Sequence, residues 1–281
     1  MKSFSRPLEH WQSLTEQFSQ QLSELESHRA AFPKTRRKLH ERVDKLKETH
    51  KEFVWSSGRP KPFGSEILKN YASEARSIQR AFTNRRLCDQ IRSEWPKMRF
   101  GLEFLKSMHG QMVDDPRSPV GQWKQVENRL SAGEDEPIFA TTAAEFTDAT
   151  MNELQKSFDK LWNCYPKYRI ILMIAYRVEF IAIHPFLDGN GRTSRMASML
   201  LLYKSGHEIC DLWNLENAIY RQRLSEVASL QASLAGWHTQ EHDLAPYIRF
   251  FIKLLNTAYR KLEFQSDMIG GQIDSSRGIG V

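Results

Sequence analysis

Twelve consecutive residues, His184-Pro185-Phe186-Leu187-Asp188-Gly189-Asn190-Gly191-Arg192-Thr193-Ser194-Arg195, concentrate more chemistry than any other stretch of this chain. Pro185 has no N–H to give and forces its predecessor out of the α region, so the apolar helix upstream must end here. Gly189-Asn190-Gly191 supplies three residues that tolerate positive φ. Successive N–H groups in such a turn converge on an anion, and a helix beginning near Gly191 adds the positive end of its dipole. Arg192 and Arg195 lie three apart on that helix, so both guanidinium groups can lean on the same anion. Two arginines plus an anion nest suit a di- or triphosphate. Asp188, at the lip, could reach a Mg²⁺ bridging phosphate oxygens. His184 is the one side chain of the loop able to accept a proton near neutral pH. Phe186 is assigned to the core. Each residue alone has a structural reading as cap, turn or surface ion pair; a phosphate site accounts for all of them together.

Helices must position this loop. Leu8 to Val54 reads as helix, interrupted at Phe32-Pro33 into a hairpin. The turn-rich stretch from Ser56 to Gly64 is the clearest break and gives three units: an N-terminal helical extension over 1–58, a main domain over 59–264, and a flexible tail over 265–281. Helical patterns follow at about 65–85 and 97–113, then at Ala143–Trp162, Lys167–Ile183, Gly191–Ser205, Asn217–Leu234 and Leu244–Phe264. Asp114 to Glu136 has no 3.6 periodicity and reads as a long irregular connection with room for a hairpin. The fold class is all-α.

Composition narrows the setting. The net charge of +6 is carried by residues 29–51, which hold nine basic side chains against three acidic ones; the rest of the chain is neutral. Charge confined to one helix face is read first as a solvated surface, and nucleic acid is an unlikely partner. The most apolar run, Ile170 to Ile183, is broken by Arg177 and Glu179 and is shorter than the ~20 residues a bilayer requires, so no membrane association is expected. No secretory signal is visible at the N-terminus. Three scattered cysteines (Cys88, Cys164, Cys210) fit a reducing cytoplasm, with delivery into another cell left open.

The loop resembles the signature of the Fic family, His-Pro-Phe-x-Asp/Glu-Gly-Asn-Gly/Lys-Arg-x-x-Arg. All nine specified residues are matched, which by chance has odds on the order of one in a billion at ~5% per residue type. Met98 to Met112 resembles the family helix preceding the active-site loops. Gly121-Gln122-Trp123-Lys124 resembles a Gly-x-aromatic-Arg element, with Lys in place of Arg. Pro137 to Glu145, with Ile138, Phe139 and Ala140, occupies the place of the family's target-positioning flap, a small hairpin, and Asp243-Leu244-Ala245-Pro246 resembles the start of a late helix. The similarity spans about residues 60–264.

The resemblance implies a Fic-like helical bundle with a flap hairpin that transfers AMP from ATP to a Ser, Thr or Tyr hydroxyl of a target protein and releases pyrophosphate. In that scheme His184 takes the hydroxyl proton and Asp188 holds Mg²⁺. Gly189, Asn190 and Gly191 bind the α- and β-phosphates, Arg192 the β-phosphate and Arg195 the γ-phosphate. Gly191 argues against the family variant with Lys at that position, which moves a different group. The alternatives are transfer of UMP, phosphocholine or phosphate on the same fold, and a nucleotide sensor with vestigial catalysis. Tyr220-Arg221 stands where the family often has a Tyr-Tyr pair beside the adenine, so base recognition rests on Tyr220. Many members restrain themselves through Ser/Thr-x-x-x-Glu-Gly/Asn. Ser5 to His10 has the spacing to Glu9 but not the last residue, and Thr141 to Glu145 lies in the flap; a separate inhibitory protein is one way to supply the missing glutamate. His238-Thr239-Gln240-Glu241-His242 has the spacing of an inverted zinc site, but Gly236 and the helix start after Asp243 deny it a regular helix, and both histidines are expected in an exposed loop.

Overall fold

In a computed structural model the structure describes residues 4–49, 83–113, 119–131 and 137–277. The helices are α1 (Leu8–Gln17), α2 (Ser19–Thr49), α3 (83–94), α4 (Leu102–Met112), α5 (Thr147–Cys164), α6 (Arg169–Ile183), α7 (Asn190–Lys204), α8 (Leu215–Arg221), α9 (Arg223–Leu234) and α10 (Ala245–Arg277). Strands β1 (Arg129–Ser131) and β2 (Pro137–Ala140) pair antiparallel, Leu130 opposite Phe139, with an irregularity between Leu130 and Ser131. The expected all-α class and flap hairpin are both present.

The organising element is α6. Every residue from Ile170 to Ile183 is buried, including Arg177 and Glu179. A helix apolar on all faces has to be surrounded, and α5, α7, α9 and α10 pack against it. The helix α4 covers α7 from outside. No described helix is long and apolar enough to cross a membrane.

The N-terminal helices differ from expectation. Pro33 lies inside the continuous helix α2, and the break falls at Phe18, between α1 and α2. One lost N–H is outweighed by packing, because α2 runs along α10 and buries Leu25, Phe32 and Thr35 on either side of the proline. His28 stacks on Tyr259 and contacts Glu263 at 2.7 Å, Asn256 donates to the Gln21 carbonyl, and Arg260 pairs with Glu24. Trp11, Leu14 and Phe18 enter the same core as α6. Three of the nine basic side chains of this segment are tied to the chain's own acids: Arg29 to Glu26, Arg36 to Glu208 and Asp211, Lys38 to Asp267.

Two other bounds moved, and a third, the turn-rich 56–64 boundary, lies outside the described residues with most of the expected 65–85 helix. The pattern read as one helix over Asn217–Leu234 is two, broken at Gln222, which leaves helical geometry at φ −110°, ψ 23°. The last helix continues past Phe264 through Arg277, with Ser266 buried and Asp267 paired to Lys38.

Candidate active site

The loop between α6 and α7 is shaped by its own residues. His184 caps α6 in the left-handed region (φ 52°, ψ 58°), its N–H still bonded to the Phe180 carbonyl. A non-glycine residue there is costly and has to be held from outside. Gly189 follows at φ 80° as the N-cap of α7, where an added Cβ would lie 2.8 Å from Val113 Cγ2, so both conformation and space demand glycine. The Asn190 side chain is committed to the loop: its Oδ1 accepts from Phe186 N–H (2.9 Å) and its Nδ2 donates to Phe186 O (2.6 Å). Asn190 therefore faces an anion only through its backbone. Phe186 is fully buried, stacked on His109 at 3.8 Å between centroids. Since Gly121 N–H donates to His109 Nδ1, the ring proton sits on Nε2 and donates to Asp188 O. Burial pushes the His109 pKa down and keeps the ring neutral.

Asp188 stands exposed at the lip and holds the nest itself. Its Oδ1 accepts from Gly189 N–H (2.6 Å) and its Oδ2 from Arg192 Nη2 (3.1 Å). The other Arg192 nitrogen, Nη1, donates to Met112 O at 3.1 Å. Arg195 Nη2 donates to Glu216 Oε1 at 2.9 Å, while its Nε is buried without a partner. Asp188, Arg192, Arg195 and Tyr220 line one open cavity of about 1060 Å³, together with Glu216 and the exposed Arg85 from α3. That volume is at the upper limit of small-ligand sites, about 1,000 Å³. Tyr220 is exposed there, available as a stacking surface.

Below the cavity, buried Arg177 reaches from α6 into the first turn of α7. It donates to Ser194 Oγ (2.7 Å), Glu226 Oε1 (2.6 Å) and Tyr247 OH (2.6 Å), and Ser194 Oγ in turn donates to Gly191 O. The first turn of α7 is thus fixed from beneath.

His184 does not line that cavity. It occupies the opposite end of the loop, half-buried beside the flap. Burial, reinforced by the Lys124 charge, pushes its pKa down to about 4, against the opposing pull of the Ile181 carbonyl and Asp188. The imidazole is neutral at pH 7. Nδ1–H donates to Ile181 O at 3.4 Å, which leaves Nε2 as the free acceptor. On the flap, Ile138, Phe139 and Ala140 form β2. Phe139 stacks on His238 and packs against Trp237, and His238 Nε2–H donates to Ala140 O at 2.8 Å.

A divalent cation has one carboxylate in this loop to meet. Among the described residues there is no group of three or more His, Cys, Asp or Glu side chains that could hold a metal. A lone exposed aspartate fits Mg²⁺, which takes one or two carboxylates and fills its shell from phosphates and water. The structure separates the two histidines expected in one exposed loop: His238 is exposed, whereas His242 is buried, its Nε2 3.7 Å from Glu179 Oε1, because Glu179 inside the core needs partners.

Glu216 escaped the sequence reading. Asn214 caps α8 by accepting from Asn217 N–H, which sets Glu216 in the first turn and aims it at Arg195. The signal was there: Glu216-Asn217 supplies the last two residues of the inhibitory pattern, with Leu212 where Ser or Thr would stand.

Residues 99–202 match the family model for the Fic/DOC family, a stretch that holds the whole loop and both strands. Two solved structures share the fold. One is a Fic domain containing signaling protein from Bacteroides thetaiotaomicron VPI-5482 (16% identity, TM-score 0.58, covering 88% of this chain and 97% of the other). The other is a Fic family protein from Desulfovibrio desulfuricans G20 (16% identity, TM-score 0.53, covering 90% and 68%).

Proposed function

We propose that this protein transfers AMP from ATP to a Ser, Thr or Tyr hydroxyl of a target protein. The observation that supports this reading most is the division of the loop: a neutral imidazole on the flap side, and Asp188, Arg192 and Arg195 on the cavity side. An in-line displacement needs that division. The acceptor hydroxyl oxygen attacks the α-phosphorus from the flap side, the bond to the β-phosphate bridging oxygen breaks, and pyrophosphate departs toward the arginines. The hydroxyl proton passes to His184 Nε2. A pKa near 4 makes His184 a weak base but an unprotonated one across the physiological range, and a weak base suffices where the leaving group is good. Arg192 and Arg195 neutralise charge on the departing group, and the N–H groups of the α7 start orient the phosphates. Asp188 would hold Mg²⁺, which supplies charge neutralisation on phosphate oxygens when bound. The flap strand offers a target segment backbone to pair with.

Incubation with ATP and Mg²⁺, alone and with candidate target proteins, followed by intact-mass measurement, tests this directly. Addition of one AMP unit, lost in His184→Ala, supports it. Parallel incubations with labelled UTP, CDP-choline and γ-labelled ATP assign the transferred group; incorporation from one of these and none from α-labelled ATP would overturn the adenylyl reading.

A further inference from the structure

A polar cluster under the flap takes no part in the reaction just proposed. Lys124 is buried (1% exposed), and its Nζ donates to Asn128 Oδ1 (2.7 Å), Thr141 Oγ1 (3.0 Å) and Ile183 O (3.2 Å). Three acceptors match the three donors of an ammonium. No carboxylate touches it; burial pushes its pKa down to about 8, with Glu127 opposing. A lysine put in such a place has to return something for its desolvation.

What it returns is visible in the loop carbonyls. Lys124 Nζ binds Ile183 O, Asn128 Nδ2 binds His184 O (3.0 Å), Lys124 N–H binds Pro185 O (2.7 Å), and Asn128 Nδ2 also binds Phe186 O (2.6 Å). Four consecutive carbonyls around the left-handed His184 are held by two residues. Those residues also belong to the flap. Asn128 immediately precedes β1, Thr141 immediately follows β2, and the Thr141 hydroxyl lies 2.9 Å from both Asn128 O and Asn128 Oδ1.

We propose that Lys124 and Asn128 are positioning residues for His184, and that with Thr141 they couple the two ends of the flap to the orientation of the His184 ring, without reaching the arginine cavity. Arg192 donates to Met112 and Asp188, and Arg195 to Glu216, on the cavity side of the loop. A target segment seated on the flap would therefore act on the base and leave the nucleotide contacts as they are. The role assigned to the ring rests on the AMP-transfer reading; the coupling does not.

The test uses the full chain with Thr141→Val, an isosteric change at the flap end that removes one hydroxyl and touches no loop carbonyl, beside Lys124→Met and Lys124→Arg. Ring signals of His184, assigned against His184→Asn and followed by nitrogen-proton NMR without nucleotide, are expected to shift in Thr141→Val. In Lys124→Met the titration midpoint of His184 should rise, because the Lys124 charge that repels its proton is gone, while burial still holds it below the ordinary value. Transfer kinetics should show kcat down about tenfold or more, as small misplacements of a base do, with the KM for ATP within about twofold and Lys124→Arg recovering most of the loss. His184 signals unmoved in folded Thr141→Val would overturn the coupling. Parallel losses in kcat and ATP affinity would reduce the cluster to scaffolding. Should the parent transfer nothing while the signals shift, the functional reading fails and the coupling stands.

Discussion

Arg195 and Glu216 face each other across the cavity wall, Nη2 to Oε1 at 2.9 Å, each side chain about one-fifth exposed, and Asn84 Nδ2 donates to the same carboxylate oxygen at 3.2 Å. The guanidinium that the family resemblance assigns to a γ-phosphate is thus already paired to an anion of the same chain. A γ-phosphate held by Arg195, as proposed, would have to displace this pair.

Glu216→Gln is therefore expected to tighten ATP. A pair of this exposure is worth up to about 1 kcal/mol, about fivefold in affinity, and ADP and AMP should change little because they do not reach Arg195. Calorimetry with the three nucleotides measures this. Weaker ATP binding in the variant would mean that Glu216 belongs to the ligand's own wall.

Arg195→Glu should act in the opposite sense. It sets two carboxylates together and repels a γ-phosphate, so ATP weakens while AMP and ADP hold. Equal losses for all three would show that Arg195 only braces the start of α7.

His184→Ala should reduce transfer by ~10²–10⁴-fold, the usual cost of removing a general base, with ATP affinity within about twofold, since the ring lies away from the arginine cavity. Single-turnover transfer and nucleotide calorimetry separate the two. Transfer at the parent rate would remove His184 from the mechanism.

His184→Asn tests a pH effect on stability. The folded pKa of His184 is held at about 4 by burial, against about 6.5 in an unfolded chain. The unfolded state thus takes up a proton first as pH falls, and wild-type stability declines between about pH 6.5 and 4, with no further loss from this group below 4. Asparagine has no such proton and tolerates the left-handed conformation. Thermal melts should show the variant gaining on the parent through that window; parallel curves would contradict the sign.

Trp11→Ala probes the N-terminal helices. Trp11 is fully buried against Phe4, and its truncation should cost about 3–5 kcal/mol, a large part of the ~5–15 kcal/mol of a typical domain. Chemical denaturation reads the loss. A change under 1 kcal/mol would mark α1 as loosely attached.

The loop from His184 to Arg195 was legible because its chemistry is local: Pro185 ends a helix, Gly189 permits a turn, and Arg192 and Arg195 share a face by spacing alone. The all-α class followed likewise from periodicity. Pro33 misled for the opposite reason, since its cost is local and the compensating contacts, from Leu25, Phe32 and Tyr259, come from both ends of the sequence. The carbonyl-holding pair Lys124 and Asn128 was invisible for the same cause, since a lysine in place of an arginine reads as a surface charge until its burial is seen. Glu216 was half-legible: Glu216-Asn217 ends the inhibitory pattern, but Leu212 breaks its start, and only the fold brings the carboxylate to Arg195. His242 shows it once more, drawn inward by a glutamate that the apolar helix α6 buries.

The pairing of α2 with α10 joins segments more than two hundred residues apart. During synthesis the face carrying Leu25 and Phe32 leaves the ribosome long before Tyr259 exists to cover it. Closure of so long a loop is slow, and apolar surface stays open meanwhile. The nascent chain should depend on chaperones until α10 emerges, and expression of fragments lacking α10 should yield aggregates rather than a smaller folded unit.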